Sequence, residues 1–115
     1  MSVSQFTLNL GEGSVSFSFS PEAARDLQGA IALLMESLKA VAAKTAGGKV
    51  SPQKPMEYRY AGEGFFEVFC NPNIWPTPFA AKVLITVRDD RLRVTTEAQL
   101  SRLRDDLAQY LEQVG

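Results

Sequence analysis

The stretch Gly64-Phe65-Phe66-Glu67-Val68-Phe69-Cys70 poses the problem that the fold must solve. Read with the period of two that a strand imposes, Phe66, Val68 and Cys70 share one face. Phe65 and Phe69 fall on the other face with Glu67. A second run, Lys82 to Val87, behaves the same way: Val83, Ile85 and Val87 point to one side, Leu84 and Thr86 to the other. Strands that are apolar on both sides normally have cover on both sides. The question is whether this chain has enough material to provide it.

Around these runs lie further hairpins. Met56, Tyr58 and Tyr60 alternate with Glu57 and Arg59, and Gly62-Glu63-Gly64 turns the chain into the 65–70 strand. Upstream, Phe6, Leu8 and Leu10 share one face and Val15, Phe17 and Phe19 another, around Gly11-Glu12-Gly13. Glycines there supply the positive φ that a tight hairpin demands. A third hairpin joins 82–87 to Arg91–Thr95 around Asp89-Asp90.

Two segments have helical periodicity. Ser20 before Pro21 and Glu22 gives a hydroxyl cap, a proline at the first helical position and an acid at the positive end. Ala24, Leu27, Ile31, Leu34, Leu38 and Val41 then form one stripe to about Ala43, widened by Leu33 and Met35. Gly29 interrupts it and marks a close contact as an expectation. Thr96 with Gln99 three residues on reads as a capping box opening a last helix striped by Leu100, Leu103, Leu107, Tyr110 and Val114. A hairpin followed by a striped helix thus occurs at 6–43 and again at 82–114.

The expected fold is therefore α+β, in the order ββ-α-ββ-ββ-α. It has an antiparallel sheet of five to six strands, built as three hairpins, with two amphipathic helices on one face. At 115 residues it forms one domain, 1–115. Residues 44–55 serve as a flexible connecting loop, ended by Gly47-Gly48 and kept from helix by Pro52 and Pro55. Residues 71–81 form a proline-rich loop.

Composition excludes much chemistry. There is no histidine and one cysteine, Cys70, and the net charge is −1. Imidazole bases, histidine-paired nucleophiles, intrachain disulfides and thiolate metal clusters are ruled out. The adjacent acids Asp89-Asp90 and Asp105-Asp106 are not spaced to share a proton, and no acidic loop matches an oxygen-ligand metal site. Gly47-Gly48-Lys49-Val50-Ser51 lacks the spacing of a phosphate-binding loop. Cys70, ending an apolar strand, reads as a buried inert thiol. No cofactor, metal or enzymatic activity is expected. Met1 to Gln5 lacks the pattern of a secretory signal and no apolar run reaches membrane-spanning length, so a cytoplasmic setting without membrane contact is the expectation.

Two helices cover one face of such a sheet, leaving Phe65, Phe69 and Leu84 to be covered by the Trp75 loop, the 44–55 loop or another chain. Large apolar patches on one chain commonly mark contact sites. The leading expectation is a protein-binding module, an adaptor or assembly factor, using Phe65, Phe69, Trp75 and Leu84 on a protein partner or on a second copy as a homodimer. Gly64–Phe69 also resembles the aromatic strand on which RNA-recognition domains stack bases. It lacks that motif's leading basic residue, carries Glu67, and sits in a chain with a different element order. The alternative is thus a single-stranded nucleic-acid binder with Arg59, Arg88, Arg91 and Arg93 on phosphates.

Overall fold

The computed structural model describes residues 4–45 and 52–114. The hairpin β1 (Ser4–Leu10) and β2 (Gly13–Phe19) leads into helix α1 (Pro21–Thr45). Strands β3 (Met56–Ala61) and β4 (Phe65–Cys70) follow, then two 3-10 turns at Pro72–Ile74 and Pro78–Ala80. Strands β5 (Lys82–Arg88) and β6 (Arg93–Gln99) lead into helix α2 (Leu100–Val114). The α+β class, six antiparallel strands, two helices and their order match the expectation. The strands divide, however, into a separate β1-β2 sheet and a four-stranded sheet ordered β3-β4-β5-β6.

The division follows from the aromatic residues. Phe6, Phe17 and Phe19 of the hairpin stack against Phe66 of β4, with the Phe17 and Phe66 centroids 4.6 Å apart and Phe19–Phe66 at 5.4 Å. Phe19 also meets Tyr60 edge-on at 4.9 Å, and Phe6 meets Tyr110 of α2 at 5.4 Å. A hairpin that continued the sheet edge to edge would place these rings beside the sheet. Packed face to face, it buries them against it, and aromatic pairs of this geometry add to the area term. The hairpin covers the Tyr60–Phe66 end of the inner face. Helix α1 lies along β3 and the two 3-10 turns, and α2 lies along β1 and β6. Leu27, Ile31, Leu34 and Leu38 of α1 share one core with Leu103 and Leu107 of α2 and with Val68, Cys70, Val83 and Ile85.

Polar bonds fix how the hairpin sits. The Asn9 N–H points away from β2 and donates to Asp106 Oδ2 at 2.8 Å, while Asn9 Nδ2 donates to Oδ1 at 3.0 Å. Asp106 is 7 % exposed, so both carboxylate oxygens are occupied at the open edge of β1. The Tyr110 hydroxyl donates to the Phe19 carbonyl, and the Tyr58 hydroxyl donates to the Ala23 carbonyl at 3.0 Å. Burial, with the Asp26 charge second, pushes the Tyr58 phenol above its ordinary range, so it stays a donor at neutral pH. No buried side-chain polar atom among the described residues lacks a partner.

Local signals hold at most boundaries. Ser20 Oγ accepts from the Ala23 N–H at 3.1 Å as the helix cap. Gly13 carries the one positive φ among the described residues, +147°. A side chain at Gly64 would meet the Arg88 carbonyl at 3.0 Å, so that turn needs glycine for close approach. In the β5-β6 turn, Asp89 Oδ1 accepts from the N–H groups of Arg91 and Leu92 at 2.8 and 2.7 Å. These bonds hold the Asp89 carboxyl below its usual range.

Other signals lose to tertiary context. Thr96 and Gln99 do not open α2: both pair with β5, opposite Ile85 and Lys82, and the helix begins at Leu100. The ladder captures these residues because Ala98 is buried opposite Val83. Its last step is the Leu100 N–H bond to the Ala81 carbonyl at 3.1 Å. Arg91 lies in the turn and β6 starts at Arg93. Leu33 is exposed, not part of the buried stripe, and nothing approaches the position of a Gly29 side chain. The Gly47-Gly48 stop and half of the 44–55 loop, 46–51, fall outside the described residues, while 44 and 45, expected in the loop, continue α1. At its visible end, Asn73 Nδ2 donates to the Gln53 carbonyl and Asn73 Oδ1 accepts the Gln53 N–H, both at 2.8 Å.

Asp106→Ala removes both acceptors and strands the Asn9 N–H. It is expected to destabilise the fold by about 1–3 kcal/mol, read as a lower midpoint in urea denaturation.

Candidate functional site on the outer sheet face

The face of the four-stranded sheet turned away from the core can be written out from the strand register. Ala61, Phe65, Arg88 and Arg93 form one row across β3, β4, β5 and β6. Arg59, Glu67, Thr86 and Thr95 form the next, and Glu57, Phe69, Leu84 and Glu97 the third. Lys82 and Gln99 extend it at one end of β5 and β6. Neither helix nor the hairpin packs on this side. Phe65 and Phe69 are each 40 % exposed and Leu84 44 %. For side chains on the two central strands these are high values. Their inner neighbours Phe66, Val68 and Ile85 are at most 1 % exposed.

The apolar groups are split in two. Phe69 and Leu84 are direct cross-strand neighbours, whereas Phe65 lies two rows away, about 13 Å along the strand at 3.3 Å per residue. The Arg88 guanidinium lies over the Phe65 ring, 3.9 Å from its centroid, which shields one side of that ring by a cation–π contact. Between the clusters runs a polar belt. Arg59 Nε lies 3.2 Å from Glu67 Oε2, and Thr86, 8 % exposed, fills the middle without projecting. An ion pair this exposed contributes little stability, but it neutralises the centre of the face.

Three of the four residues expected to form a contact site, Phe65, Phe69 and Leu84, thus share this face. Trp75 does not join them. It packs half-buried against the core, on the inner side near the Cys70 thiol. The proline-rich loop lies against α1 and α2 instead of folding over the outer face. The reason is local. Asn71 Oδ1 takes the Asn73 N–H at 3.0 Å, and Pro72 is buried, so the chain leaving β4 turns toward the helices. The Trp75-Pro76 bond is trans. Two apolar side chains of this loop, Ile74 and Phe79, are left exposed on the helix side, Phe79 at 91 %.

Of the arginines weighed as phosphate contacts, Arg59, Arg88 and Arg93 belong to the same face and Arg91 to the adjoining turn. Glu57, Glu67 and Glu97 share that face. The sequence reading missed Glu97 as a member. The alternation Arg93, Thr95, Glu97, Gln99 carries the signal, and it is hidden once Thr96 is read as a helix cap.

Other features offer less chemistry. A cleft of ≈ 280 Å³ opens between β2 and the Phe66–Val87 end of the inner face, with Arg88 flanked by Glu63 and Asp89 at its edge. Its volume falls just below the range typical of small-molecule sites. No group of three or more His, Cys, Asp or Glu among the described residues is placed to hold a metal ion. No helix of the described chain is long and apolar enough to cross a membrane. The Cys70 thiol is 2 % exposed and burial pushes its pKa up, against nucleophilic use.

Three outcomes follow from this geometry. Phe66→Ala is expected to cost about 3–5 kcal/mol as a core truncation. Phe69→Thr on the outer face should change the stability of the isolated chain by less than about 1 kcal/mol, both read by chemical denaturation. Cys70 is expected to react with an alkylating reagent much more slowly in the native chain than in urea, as followed by mass spectrometry.

No protein-family model, curated protein or solved structure matches this chain, so the role of the outer face rests on its own geometry.

Proposed function

We propose that this chain is a non-enzymatic protein-binding module of the cytoplasm, an adaptor or assembly factor, that docks its partner on the outer face of β3–β6. One observation carries the reading. The core is completed on the inner side with every buried polar side-chain atom among the described residues satisfied, yet Phe65, Phe69 and Leu84 remain accessible on the two central strands. Solvent-facing positions of a finished sheet are ordinarily polar. Aromatic side chains with arginine beside them are the groups that most often anchor protein contacts. Glu57, Arg59, Arg93 and Glu97 sit at the outer strands and give the face a polar rim.

The test is a photo-crosslinking amino acid placed at position 69 or 84, with position 109 on the exposed side of α2 as control, in cells making the full chain. A discrete protein adduct from 69 and 84 but not from 109 is expected. Equal or absent adducts at all three positions would remove the reading. Convergence of Arg59, Arg88 and Arg93 with the two rings favours single-stranded nucleic acid as a second reading. Binding to an oligonucleotide at low salt, weakening steeply as salt is added, would put that reading in its place.

A further inference from the structure

We infer that the occupant of the outer face is a second copy of this chain, packed sheet to sheet about a two-fold axis that crosses the strands through the Thr86 row. This rests on the docking role proposed above and names its partner. The inference comes from how the face is divided. A two-fold contact sets each residue against a fixed counterpart in the other copy. Rotation about an axis perpendicular to the strands keeps each strand over its own equivalent and exchanges the Phe65 row with the Phe69 row.

The exchange is complementary between the two outer rows, while the Arg59–Glu67–Thr86–Thr95 row is set against itself. Phe65 of one copy comes opposite Phe69 of the other, and Arg88 opposite Leu84, so the two separated apolar clusters meet each other. Arg93 comes opposite Glu97, twice by symmetry. Lys82, beyond Leu84, comes toward the acidic turn at Asp89-Asp90. On the axis Thr86, which does not project, and Thr95 meet their own equivalents, and Arg59 and Glu67 meet theirs as an ion pair already neutralised within each copy, whereas Glu57 and Glu97 carry no such pairing among the described residues.

The other face-to-face arrangement, about an axis parallel to the strands, fails this check. It stacks Glu57 on Glu97 at both edges and gathers Arg88 and Arg93 of both copies at one end. Like charges set opposite each other disfavour association. Aligned sheets pack about 10 Å apart, crossing at about 30°, a separation that Arg and Glu side chains span from both sides. Four strands of six or seven residues give a projected face on the order of 400 Å². Such a contact buries about 800 Å² over both copies, less than the roughly 1,000 Å² of a stable specific interface, so the dimer is a weak, transient one that dissociates on dilution.

The experiment is sedimentation velocity of the purified full chain across a wide concentration range, with the variants Arg93→Glu, Glu97→Arg and the double exchange. Circular dichroism of each variant confirms the fold, which rim substitutions should leave intact. The wild type is expected to shift from monomer to dimer as concentration rises. Each single exchange should weaken the dimer at least about tenfold, since it creates two like-charge pairs. The double exchange, and an equimolar mixture of the two singles, should restore it. A wild type that stays monomeric throughout overturns the inference, even where crosslinking at 69 and 84 captures a different protein and so preserves the docking role. A dimer that Glu97→Arg tightens, or that the double exchange fails to restore, overturns the proposed axis.

Discussion

The burial of Phe66 is the contact on which the other elements depend. Its ring is fully buried and sits between Phe17, Phe19 and Tyr58, so three separate parts of the chain meet at one side chain. An aromatic ring at that position of β4 cannot be shielded by the helices alone, because α1 runs beside β3 and α2 beside β1 and β6. The first hairpin supplies the missing cover by lying across the inner face. In doing so it leaves the edge of the four-stranded sheet, and the six strands form two sheets.

Hydrophobic burial does not by itself orient a two-stranded hairpin, which is marginal alone. Directional bonds orient it here. Asp106 takes both the main-chain and side-chain N–H groups of Asn9, and Tyr110 reaches the Phe19 carbonyl. Both acceptor and donor come from α2, one turn apart, so a single helix positions both ends of the hairpin. The acid at position 106 serves packing, which explains why it is buried while its neighbour Asp105 is exposed.

Covering the inner face uses every large element, and the consequence appears on the other side. The outer face keeps Phe65, Phe69 and Leu84, separated by a neutralised Arg59–Glu67 pair and rimmed by charges of both signs. The even alternation along β4 and β5 made the two-faced apolar pattern legible in the residues themselves. The alternatives for its cover were not decidable there. Trp75 is in sequence as good a lid for the outer face as for the inner one; only the Asn71–Asn73 turn and the burial of Pro72 send it toward Cys70.

The linear pattern determined the α+β class, the order of the six strands and two helices, the Ser20 cap, the glycine turns and the two-faced character of β4 and β5. All of these depend on spacing along the chain: period two, period near 3.6, and residues whose backbone preferences act locally. Tertiary structure decided the partition into two sheets, the extension of β6 through the apparent cap at Thr96, the inward turn of Trp75 and the roles of Asn9 and Asp106. Each of these is a competition between partners far apart in sequence. Its outcome depends on which surface is left to be buried once the other elements have packed.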